Sequence, residues 1–240
     1  MSDARAWAGS IILGDGWALV DARVGASRPH SHLAHQLCLA TEADIDIAGE
    51  EPLLVPRGRA AFIPAGLSHR IGPAGAATRS FYIDATFWRR GRARPANRLS
   101  LRPSREAKSL GAIRDADTGR AFARELTGNA LPSSPDARLA AALSRAGPDA
   151  SPLALARASG LSPSHLRELA IRDYGVSPSK LLQWRQIVRA VAAVGEGCGL
   201  AEAAAAGGFA DQSHFTRRCV QWLGVTPSSG LASLHPVPGA

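Results

Sequence analysis

The rhythm of apolar positions changes about halfway along the chain. From residue 10 to about 88, short apolar runs such as Trp17-Ala18-Leu19-Val20 and Phe81-Tyr82-Ile83 alternate with Gly, Pro and Asp. Ile45-Asp46-Ile47 repeats with period two, and Ala48-Gly49-Glu50-Glu51 follows as a turn. Many short strands with close turns predict a β-sandwich or barrel. Beyond Pro135 the repeat becomes helical, beginning with Leu139 and Leu143 and stopping at Gly147-Pro148. Ser151-Pro152, Ser162-Pro163 and Ser177-Pro178 each set an N-cap serine before a first-turn proline. Gly160 and Gly175 stand where C-caps belong, and Gly207-Gly208 breaks an alanine-rich helix that starts at Leu200. The helix then restarts, with Phe215, Cys219, Trp222 and Leu223 on one face.

Helix–Gly–helix therefore occurs twice, at about 153–174 and 200–223, and each second helix is amphipathic with a polar N-terminal end. That arrangement predicts two helix-turn-helix units. Between them, residues 178 to about 194 predict a linker helix roughly 25 Å long. This length suits two units reading one duplex about one helical repeat apart. Upstream, residues 104–127 predict one or two helices, with Leu110, Ile113, Phe122 and Leu126 available for dimer contacts or for packing on the barrel. The turn cluster at 128–135 marks a boundary. The chain thus divides into a barrel over 1–90, a basic connector over 91–131 and an all-α domain over 132–240, an α+β architecture.

Composition refines this picture. The formal charge is +8 and the pI about 10.6, which suits an anionic partner without proving one. Lys occurs only at Lys108 and Lys180; the remaining basic side chains are Arg, suited to phosphate and guanine. The basic run from Arg89 to Lys108 has Glu106 as its one acid, and reads better as a solvated linker than as a DNA-backbone contact. Cys38, Cys198 and Cys219 have no metal-type or disulfide-type spacing, which fits a reducing interior. No stretch approaches the roughly 20 apolar residues of a membrane span. A soluble cytoplasmic protein is expected.

Four of the seven histidines, His30, His32, His35 and His69, fall in the β-rich half. On a strand, His30 and His32 point the same way and Gln36 keeps their parity, whereas His35 does not. Pro64 and Gly66 make a turn that presents His69. The stretches Gly25 to Gln36 and Gly58 to His69 together resemble the two cupin motifs. The second, G-x5-P-x-G-x2-H, matches at every position. The resemblance implies a cupin-like β-barrel with His30, His32 and His69 as candidate metal ligands. It also implies an effector pocket near His30, His32, Gln36 and His69. Gln36 stands where those motifs carry an acid, and Pro73 replaces a usual Asn. The lost charge favours a metal-free pocket; zinc, nickel and copper are the ions an imidazole-rich site still takes.

Gly208-Phe209, Asp211, Ser213, Phe215, Arg217 and Gly224-Val225-Thr226-Pro227 resemble the signature of the AraC/XylS regulators. Ala156, Gly160, Ser162, Leu166, Gly175, Pro178 and Arg185 match its first unit. Residues 136–231 are accordingly similar to that family's DNA-binding domain, and the first half to its effector domain. The resemblance implies DNA contacts from Ser164, His165, Arg167, Glu168 and Arg185, and from Gln212, Ser213, Thr216 and Arg217. Arg167 and Arg217 suit guanine, and Gln212 adenine. It implies a promoter-DNA-binding regulator, homodimeric and working with RNA polymerase, under a small-molecule or metal effector. Ala170 and Cys219 occupy positions where the family packs Phe, and Ala203 one of Ile or Leu. The competing reading is a metal-dependent cupin enzyme, a dioxygenase or isomerase, with a helical appendage.

Overall fold

In a computed structural model, which describes residues 8–14, 16–25, 27–85, 98–127, 136–231 and 234–236, the apolar runs of the first half become strands. They are β1 (Ala8–Gly14), β2 (Trp17–Arg23), β3 (Ala34–Ala40), β4 (Ile45–Gly49), β5 (Leu53–Val55), β6 (Ala60–Ile63), β7 (His69–Gly72) and β8 (Ala77–Asp84). Two more lie outside that run, β9 (Ser100–Leu101) and β10 (Leu234–Pro236). One sheet has the order β10-β1-β2-β8-β3-β6-β9 and the other β5-β4-β7. Ile11, Val20, Cys38 and Ile63 from the large sheet meet Ile45, Ile47, Val55 and Ile71 from the small one in a single buried cluster. The two sheets thus face each other as a flattened barrel, and among the described residues no ladder closes them into one continuous sheet.

The outer face of the large sheet is also apolar, and α1 (Ser104–Ala112) and α2 (Ala116–Thr127) cover it. Leu110, Ile113 and Phe122 pack there with Trp17, Leu37 and Phe81. Phe81 stacks on Trp17 with ring centroids 5.3 Å apart and meets Phe122 edge-on at 5.0 Å. Arg79 forks onto Asp21 with two 2.6 Å bonds and donates to the carbonyls of Gly111 and Ile113, which pins the end of α1. These apolar positions therefore serve the β-rich half itself.

The second half contains α3 (Ala137–Arg145), α4 (Pro152–Ser159), α5 (Pro163–Tyr174), α6 (Pro178–Gly195), α7 (Leu200–Gly207), α8 (Gln212–Leu223) and the short α9 (Pro227–Gly230). Ser151, Ser162, Ser177 and Asp211 accept from backbone N–H groups as N-caps. Gly160, Gly175, Gly208 and Gly224 end their helices in the left-handed conformation that an L side chain resists. The linker helix α6 braces both units. Gln186 donates to Pro148 O and Gly208 O, and Arg189 to Ala146 O.

Two strands cross the boundaries expected from composition. β9 lies in the stretch expected to be connector, yet pairs with β6. β10 follows the last helix and runs parallel to β1, with Gly9 opposite Leu234. The edge of β1 carries unpaired backbone donors and acceptors, and three residues of tail are enough to meet them. The basic run at 89–94 and the turn cluster at 128–135 lie outside the described residues.

Ala170, Ala203 and Cys219 are fully buried where larger side chains were expected, and the helices close up to compensate. A Cβ on Gly207 would come within 2.8 Å of Gln186 O and 2.9 Å of Ala190 Cβ. Helix propensity alone makes Gly207→Ala stabilising by about 1 kcal/mol. Close packing reverses the sign, and we expect a net loss of about 1–3 kcal/mol in urea unfolding. A gain in stability would show that α6 and α7 are not held this tightly.

Candidate effector site and nucleic-acid interface

His30, His32 and His69 come together although only His69 lies in a strand of the ladders. His30 forms an isolated bridge with His69, each backbone N–H donating to the other's carbonyl at 3.0 and 2.9 Å. Gly66, with φ +84°, turns the chain so that its N–H donates to His32 O. One ring nitrogen from each histidine lies within 4.8 Å of the other two. In every case Nδ1 meets a main-chain carbonyl two residues away: Arg28 O at 3.0 Å, Ala34 O at 2.8 Å and Leu67 O at 3.0 Å. A carbonyl only accepts, so each Nδ1 carries the proton and each Nε2 carries a lone pair.

That is the orientation metal-binding imidazoles adopt, with the distal nitrogen fixed by a backbone acceptor. His69 Nε2 is moreover buried with no hydrogen-bond partner among the described residues, a state that costs free energy unless a ligand meets it. His32 Nε2 lies 3.3 Å from Gln36 Oε1, so two lone pairs face each other. A shared cation relieves that contact, as does a half-turn of the amide. Gln36 is fully buried and its Nε2 donates to Ser80 Oγ at 3.0 Å. The donor set thus fits a borderline-soft ion without help from an acid. His35 faces away, accepting from Ala65 N and stacking on Phe62. Burial pushes the Cys38 thiol up to about 11 and Cys219 up to about 12, so both are packed thiols.

Beside the cluster lies a cavity of about 210 Å³. Strands supply Ile11, Trp17, Val20 and Tyr82; helices supply Trp184, Ile187, Val191 and Leu223. The pocket therefore sits between the β-rich half and the helices. Among the described residues lining it there is neither Lys nor Arg. Ser27 Oγ, also in the lining, is buried without a hydrogen-bond partner among the described residues. Asp84 is buried at the rim and accepts from Trp184 Nε1 at 3.0 Å.

The residues expected to meet DNA fall on two helices. Ser164, His165, Arg167 and Glu168 are exposed along the first turns of α5, as are Gln212, Ser213 and Arg217 on α8. Thr216 is half-buried and returns its hydroxyl to Gln212 O at 2.9 Å. Glu168 leans on His165, with Oε2 3.4 Å from Nδ1, rather than on Arg167. Arg185 is half-buried on α6, close enough to Arg189 for the two like charges to interact. Phe215, Cys219 and Trp222 are buried in the helical core, leaving the polar side of α8 free.

A family of helix-turn-helix domains matches residues 155–232. This stretch is an AraC-type helix-turn-helix domain. The chain is accordingly a DNA-binding transcription regulator with a β-rich domain ahead of the AraC-type domain. Comparison with curated protein sequences gives no match. In fold the whole chain is similar to ToxT from Vibrio cholerae. An apo variant of that protein superposes with a TM-score of 0.61 at 8% identity, covering 90% of this chain and 97% of that one. ToxT with an unsaturated fatty acid bound gives 0.60 at 10% identity, covering 91% and 94%. The likeness extends over both halves and concerns the fold. No helix among the described residues is long and apolar enough to cross a membrane.

Sequence reasoning missed the residues at the junction. Trp184 has the spacing of an ordinary core residue, and nothing local marks Asp84, Ser27 or Gly224 as neighbours of the histidines. Burial holds the His30 imidazole down to about 4, His32 well below the usual histidine range and His69 below it. In the unfolded chain they titrate near 6.5. The folded state therefore binds fewer protons between these limits, and the histidines' contribution, complete above pH 6.5, is lost as the pH falls towards 4. With chelator present, the urea midpoint should fall steadily across that window; a flat profile would mean that the cluster is open to water.

Proposed function

We propose that a small, largely apolar molecule in the cavity controls this regulator's binding to promoter DNA. The observation that carries the reading is that one cavity is walled by both the strands and the helices of the DNA-binding domain. A molecule there contacts both parts at once, and so has different affinities for arrangements that differ at the junction, which is what control requires. An apolar cavity of about 150 Å³ takes benzene. The larger space here suits a bicyclic or short-chain compound, uncharged and carrying one group for Ser27 Oγ. The solved fatty-acid complex of ToxT, similar in fold, supports a hydrophobic ligand as a class. The enzyme alternative is less well supported, because helices wall the pocket and Gln36 replaces the acid. A homodimer on DNA and contact with RNA polymerase follow from the family resemblance.

On the DNA side, Arg167 and Arg217 read guanine, Gln212 reads adenine, and Ser164, His165, Ser213 and Thr216 take neighbouring base edges or phosphates. Arg185 takes a phosphate, and Glu168 orients His165. Arg217→Ala should weaken specific binding by about 1–3 kcal/mol and relax preference at one base pair. Gel shifts over a salt series measure both, and an unchanged operator preference would remove α8 from the reading surface. Val191→Trp should fill the cavity, abolish the thermal shift given by an apolar ligand, and leave ligand-free DNA binding within about twofold. A retained ligand shift would place the effector elsewhere.

A further inference from the structure

We propose that the His30, His32 and His69 cluster, the candidate metal site that the cupin resemblance implies, is coupled to the second DNA-reading helix, so that an ion of the zinc, nickel or copper class held there fixes the C-terminal end of α8 through Gly224. The proposal rests on the DNA-binding reading and adds a second ligand to it. The three Nε2 lone pairs are held in place by carbonyl bonds to Nδ1, and the buried Nε2 of His69 has no hydrogen-bond partner among the described residues. No carboxylate belongs to the group, which disfavours magnesium and calcium and suits ions that accept imidazole.

The link to DNA runs through Gly224. This residue is the left-handed C-cap of α8, with φ +74°. Its carbonyl accepts from Arg28 N at 2.9 Å. Arg28 O in turn accepts from His30 Nδ1. A Cβ at Gly224 would lie 2.5 Å from His30 Nδ1 and 2.6 Å from Arg28 O. The end of the reading helix is therefore packed close to Nδ1 and Cγ of a ligand imidazole, on the side away from the nitrogen that would hold the ion. Fixing His30 by coordination fixes the Arg28 carbonyl and, through the Arg28 amide, the C-cap. Gly224 here needs both its φ and its lack of a side chain, so the helix end has little room to shift while His30 stays in place. Because coupling between two sites is reciprocal, disturbing the helix end must also weaken the metal.

The test uses the full chain, stripped with chelator and titrated with Zn²⁺, Ni²⁺ and Co²⁺. One equivalent should bind, and the Co²⁺ adduct should show ligand-field bands without thiolate charge transfer. His69→Gln should weaken binding at least tenfold. Gly224→Ala, outside the ligand set, should weaken it several-fold. In the wild-type chain alone, backbone amide exchange at Gly224 and Val225 should slow on adding Zn²⁺. Uptake below about a tenth of an equivalent, or unchanged affinity in His69→Gln, overturns the metal site. Normal uptake with unchanged exchange at Gly224 overturns the coupling. Arg217-dependent promoter binding by the stripped protein is measured alongside: its persistence without metal uptake leaves the regulator standing, and its absence in both forms removes that reading instead.

Discussion

The indole N–H of Trp184 donates to the Asp84 carboxylate across the junction between sheet and helices, and both groups are buried. Both are buried, so separating them takes a buried indole N–H away from its acceptor. Hydrogen bonds to charged groups are worth about 1.5–3 kcal/mol. Trp184 is on α6, whose Gln186 and Arg189 also hold Pro148, Gly208 and Ala146. The position of one helix on the end of β8 therefore sets the position of both helix-turn-helix units.

Both partners of this bond line the cavity, and so do His30 and His32 of the histidine cluster. Apolar residues from α6 and β1 form part of the cavity wall, while the strap from Arg28 to His30 touches the end of α8. A ligand at either place acts on the junction directly, without a chain of intermediates through the protein interior. The energy available for control is the ligand's differential affinity for junctions in different arrangements, and a molecule that bound all of them equally would shift nothing.

The helical domain holds its shape with unusually small side chains. Ala170, Ala203 and Cys219 are fully buried. Close approach at Gly207 brings α7 against α6 and replaces with backbone contact what larger residues supply by volume. The consequence is a rigid link between the two reading helices, since overpacked alternatives clash with main chain rather than with movable side-chain ends.

Much of this was legible in the residues themselves. Serine–proline starts and glycine stops are local, so Ser151, Ser162, Ser177, Gly160 and Gly175 marked helix ends without any knowledge of the fold. Period-two parity placed His30, His32 and Gln36 on one side because side-chain direction in an extended chain is also local. The match of Pro64, Gly66 and His69 to a turn brought the third histidine to them. Only the tertiary structure decided what that cluster touches. Gly224 reaches His30 from the far end of the chain because α8 docks on the strap. Trp184 reaches Asp84 because α6 lies on the sheet, and β10 returns to β1 because an open edge was there to pair. Sequence determined the elements and their polar faces, which depend on neighbours along the chain. The junction depends on packing between halves, and no periodicity encodes it.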